Sequence, residues 1–79
     1  MCLAVPGMLI AIDAGNVGVL DFQGNQLRVS LVMTPEAKVG AWLLVHAGMA
    51  LQEVDVAEAR KAWEFLVEMG VGDMPEPLR

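Results

Sequence analysis

Two side chains in this 79-residue chain offer chemistry that the bulk composition does not: its only cysteine, Cys2, and its only histidine, His46. Removal of the initiator methionine, usual before a residue as small as cysteine, would leave Cys2 with a thiol and a free α-amine, a compact N,S chelate. The amine ordinarily titrates near about 7.7 to 8.0 and the thiol near about 8.5, so each is partly deprotonated at neutral pH. A bound metal would drive both protons off. Soft thiolate favours iron or zinc over magnesium or calcium. A closed structural zinc site needs four protein donors, which one cysteine and one histidine do not supply. A metal held here is therefore shared with another molecule or completed by exogenous ligands. The alternative is an inert thiol on a frayed terminus.

The residues around these two bear on how they are displayed. Pro6 fixes one backbone dihedral and Gly7 permits an unusual one, so the pair could aim the first residues away from the body of the protein. Equally, Pro6 and Gly7 could simply open the first strand. His46 lies in WLLVHAGMA. With Leu43 and Val45 facing a core, Trp42, Leu44 and His46 share the opposite face, which places an imidazole beside exposed apolar surface suited to docking. The alternative is a histidine hydrogen-bonded within its own fold. Trp63, Phe65 and Met69 read as core residues. Met8, Met33 and Met49 read as gap-fillers, adaptable if exposed.

The elements that must position these residues follow from periodicity. Residues 8–12 and 17–22 are short apolar runs set off by Pro6-Gly7 and Gly15-Asn16, and both predict strands. Gln23-Gly24-Asn25 is turn chemistry, and 26–32 alternates with Leu27, Val29 and Leu31 on one face, so 17–22 and 26–32 predict a hairpin. Residues 42–46 and 49–54 predict a fourth and a fifth strand, interrupted at Ala47-Gly48. From Asp55 the period becomes helical. Asp55 with Glu58 predicts a capping box, and Val56, Ala59, Trp63, Leu66 and Val67 form one apolar stripe before Gly70. The expected architecture is mainly β: a small five-stranded barrel of the oligonucleotide-binding-like type over 1–54, a C-terminal amphipathic helix over 55–70 in the same domain, and a flexible tail over 71–79.

Composition narrows the function. At 56% hydrophobic residues, much apolar surface must be covered internally or by a partner. A net charge of -5 without a basic cluster argues against nucleic acid and anionic membranes. A lone cysteine gives no internal disulfide, and the apolar start lacks the basic region of a signal peptide, so the cytoplasm is the expected compartment.

The stretches MCLAVPG, VSLV and VGAWLLVHAGMALQEVD, followed by an EA-rich helix, resemble the HypC/HupF family of NiFe-hydrogenase maturation chaperones. Cys2, Pro6, Gly7, Val39, Gly40, Val45, His46, Gly48 and Ala50 match the family pattern. Ala41, Met49 and Met8 stand where the family commonly has aspartate, phenylalanine and a basic residue, and the short tail is more similar to HypC than to HupF. The resemblance implies a scaffold rather than an enzyme. It implies complex formation with HypD, with HypE reached through that complex, and delivery of an Fe(CN)2CO unit to the NiFe-hydrogenase large-subunit precursor. It further implies Cys2 as the iron-contacting thiolate, His46 as a residue supporting cofactor assembly, and Cys2, Pro6, Gly7, Trp42 and His46 as the partner-contacting set. Two other readings compete: a plain interaction barrel in which Cys2 is incidental, and an enzyme with Cys2 as nucleophile and His46 as base.

Overall fold

A computed structural model of the chain describes residues 4–79. Five strands, β1 (Val5–Asp13), β2 (Val17–Phe22), β3 (Asn25–Ser30), β4 (Trp42–His46) and β5 (Met49–Val54), precede one helix, α1 (Val56–Glu68). The strands close into a barrel in the order β1-β2-β3-β5-β4. Every pairing is antiparallel except β3 with β5, which run parallel and meet at a single register pair, Ser30 with Met49. This is the expected five-stranded barrel, closed between β3 and β5 by that one pair. β1 begins at Val5 rather than at residue 8, and β3 ends at Ser30 rather than at residue 32.

Alternation along the strands separates two cores. Leu9, Leu20, Val29, Leu31, Leu43, Val45 and Ala50 fill the barrel interior, with Ala37 from the β3–β4 connection. Trp42, one residue out of phase with Leu43, faces the other way and joins Ala59, Trp63, Leu66 and Leu78 in a second cluster between the barrel wall and α1. The helix therefore lies on the barrel's side. Leu27, expected inside with Val29 and Leu31, is 45% exposed, because β3 is solvated over its first four residues.

Local chemistry sets the helix ends as expected. The Glu58 amide donates to Asp55 Oδ1 at 2.7 Å and the Asp55 amide to Glu58 Oε1 at 3.2 Å, a complete capping box. At the other end Gly70 takes φ of +81°. The Val71 amide donates to the Leu66 carbonyl and the Gly70 amide to the Val67 carbonyl, the paired bonds that close a helix at a left-handed residue. Only Ala59, Trp63 and Leu66 of the apolar stripe are buried. Val56 and Val67 lie toward solvent, as do Phe65 and Met69, which sequence had placed in the core.

The expected flexible tail over 71–79 is a correction. Residues Glu76–Leu78 form a short 3-10 helix, η1, and Leu78 is 2% exposed in the second core. The Gln23 side-chain amide donates to the Asp73 carbonyl, tying the segment to the β2–β3 turn. Two prolines raise tail-like expectations, yet Pro75 caps η1 and Pro77 lies in its first turn, where a missing N–H breaks no helical bond, and Met74 and Leu78 pack in the cluster with Trp63.

Candidate functional site

The β1–β4 pairing decides where the candidate residues lie. It is antiparallel, with Val5 opposite Val45 and Met8 opposite Trp42, so the chain enters β1 at the end of the barrel where β4 leaves at His46. Cys2 lies outside the described residues. Strand register thus brings the start of β1, at Val5, to the end of the barrel where β4 closes at His46.

His46 closes β4 and pairs with Met49 across the two-residue turn Ala47-Gly48. Both turn residues have positive φ, +52° at Ala47 and +78° at Gly48, the condition for the hairpin turn whose twist matches its strands. Alanine is a poor occupant of a left-handed position, with a cost of about 1–2 kcal/mol relative to the right-handed region. Local strain therefore sits one residue from the imidazole. His46 itself is partly exposed, and the hydrogen bonds among the described residues do not engage its ring.

Beside this turn is an open apolar cleft of about 250 Å³ lined by Val5, Phe22, Leu27, Val45, Ala47 and Gly48. Gly7 helps shape it. A Cβ at Gly7 would come within 2.6 Å of the Phe22 ring, so only glycine lets that ring lie across the mouth of the barrel. Sequence reading missed Val5, Phe22 and Leu27 here. The two-residue spacing of Ala47-Gly48 between strands was the available signal, and it marks a hairpin rather than a mere interruption.

Pro6 and Gly7 do not redirect the chain away from the barrel; both are buried within β1. Pro6 pairs with Leu44 ahead of the first β1–β2 register pair at Met8, so its lack of an N–H interrupts no ladder with β2. Its carbonyl accepts a buried hydrogen bond of 2.8 Å from Trp63 Nε1. Trp42 is a further correction. Expected on an exposed face with His46, it is 6% exposed beneath α1, and it cannot offer its indole to a partner while the helix is in place.

Among the described residues no three histidine, cysteine, aspartate or glutamate side chains gather into a metal cage. Chemically, this end of the barrel has an imidazole whose ring makes no hydrogen bond among the described residues, and an apolar cleft that begins at Val5. Among the described residues this end of the barrel offers one imidazole, a single ligand and not a coordination shell.

Comparison with known proteins identifies relatives of the whole arrangement. The family model of the HupF/HypC family matches residues 1–66. A protein of Cupriavidus necator named hydrogenase maturation factor HypC is 35% identical over 69 residues, spanning 87% of this chain and 77% of the relative. The protein of the same name from a Synechocystis species is 37% identical over 76 residues, spanning 90% of this chain and 100% of the relative. That of Escherichia coli K12 is 37% identical over 75 residues, spanning 87% and 82%. No helix among the described residues is long and apolar enough to cross a membrane.

Proposed function

The chain belongs to the HupF/HypC family of hydrogenase maturation factors, and we propose that it works as a scaffold and carrier that holds one side of an iron unit while a partner holds the other. The cargo is an Fe(CN)2CO unit, assembled in complex with HypD, with HypE acting through that complex. Its recipient is the NiFe-hydrogenase large-subunit precursor. Cys2 supplies the thiolate that contacts iron, and His46 steadies the complex or the assembling unit. The protein binds and orients; the diatomic ligands are chemistry supplied by others.

One observation supports this reading above the rest. The β1–β4 register brings the start of β1, three residues after Cys2 in sequence, to the His46 turn beside an apolar cleft. A metal enclosed by one chain's ligands would be hard to pass on, whereas a metal held half by each of two proteins can be exchanged one ligand at a time. The incomplete donor set is what such a carrier needs.

The test is Cys2→Ala. Replacing a thiol by a methyl-sized side chain removes little volume, so the variant is expected to melt as the parent does while a strain carrying only this variant lacks hydrogenase activity. Normal activity in that strain would overturn the proposed role of the thiolate. His46→Ala is expected to give a partial loss of activity, with weaker retention of HypD on affinity capture.

A further inference from the structure

We propose that the outer edge of β5 is a strand-addition site for an extended, basic segment of a partner protein. The barrel is closed between β3 and β5 by one register pair, Ser30 with Met49, supported by a hydrogen bond of 2.9 Å from the Ser30 amide to the Gly48 carbonyl. Beyond that pair the chain after β3 turns away into the β3–β4 connection, while β5 continues to Val54. On the side away from β4, the backbone of Leu51, Gln52 and Glu53 has no backbone partner among the described residues. Unpaired strand edges are templates for another chain.

This edge is not flat surface. It forms one wall of an open cleft of about 380 Å³ whose other wall is Met33, Thr34, Pro35, Glu36 and Ala37. Thr34, also on this wall, is 8% exposed, and its buried Oγ1 has no hydrogen-bond partner among the described residues, so an incoming backbone would reach that oxygen only if the loop shifted. Met33, 59% exposed at the rim, can adapt to varied side chains.

Charge selects the occupant. Glu36 stands on one wall and Glu53 on the other, and no lysine, arginine or histidine lines the cleft. A strand bearing lysine or arginine at alternate positions would pair its backbone with β5 and direct cations to these carboxylates. A second copy of this chain is the poorer occupant, because it brings acidic walls together on a molecule of net charge -5. The same carboxylates repel a nucleic acid backbone.

Leu51 follows His46 by only five residues, but the test involves neither Cys2 nor His46 nor iron, so the proposal stands or falls separately from the carrier reading. The probe is a capped heptapeptide of alternating lysine and valine, titrated into the 15N-labelled full chain. Saturable amide shifts are expected at Leu51, Gln52, Glu53 and residues 33–37. Affinity should fall at least tenfold for the glutamate-valine peptide, for a lysine-valine peptide N-methylated at alternate residues along one edge, and for the double variant Glu36→Lys/Glu53→Lys, whose remaining spectrum should match the parent. Shifts centred elsewhere, no saturation, or an N-methylated peptide that binds as well as the parent peptide would overturn the proposal. The last of these would mean that charge alone brings the peptide to the surface.

Discussion

His46 and Cys2 could be singled out from type and position, because a lone histidine in an apolar strand and a thiol beside the start of the chain are visible without any fold. Ala47 could not. Its left-handed conformation, φ of +52°, arises from the need to join β4 and β5 in two residues, and alanine carries no sequence signature of such a turn. Trp42 was misplaced for a related reason: alternation tells which residues share a face of β4, but not that α1 covers the outward face at Trp42. The strain at Ala47 gives a direct test. Asparagine tolerates the left-handed region far better than alanine, so Ala47→Asn is expected to raise the unfolding free energy by about 1 kcal/mol and the melting temperature by about 4 °C or more. Thermal and urea unfolding check this together. An unchanged or lower midpoint would mean that the turn is not strained by its alanine.

At the scale of elements, the ends of α1 were legible because capping is local: Asp55 and Glu58 are three residues apart and satisfy each other's backbone. What α1 does for the barrel was not legible, since it rests on a contact between residues 57 apart in sequence. Trp63 donates to the Pro6 carbonyl, so the helix is pinned to the strand that leads to the thiol-bearing segment. A buried carbonyl stripped of its donor costs about 1–3 kcal/mol. Trp63→Phe is therefore expected to lower stability by about 2 kcal/mol in urea unfolding, loss of indole packing included. Hydrogen exchange should quicken at the first amides of β1 more than in β3, whose pairs lie on the far side of the barrel. Uniform acceleration across both strands would show that the indole acts only through global stability, with no particular hold on β1.

For the whole molecule, five strand-like runs and one helix sufficed to predict a barrel because 79 residues leave few other ways to cover so many strand edges. The same brevity misled the reading of the C-terminus. Composition marks 71–79 as tail-like, but a small domain has too little core to leave Leu78 unused, and that residue is 2% exposed against Trp42, Ala59, Trp63 and Leu66. Leu78→Ala is expected to cost about 3 kcal/mol and to lower the melting temperature by more than about 10 °C; a free tail would give no measurable change. The remaining exposed apolar residues, Phe65, Met69 and Val71 among them, accord with a protein that works in company. The carrier reading is tested most directly by infrared spectroscopy of this chain captured, with its partners, from cells that are making hydrogenase. Metal-bound cyanide and carbon monoxide bands are expected in the parent sample and absent from the Cys2→Ala sample at equal protein; bands of equal strength in both would contradict the account.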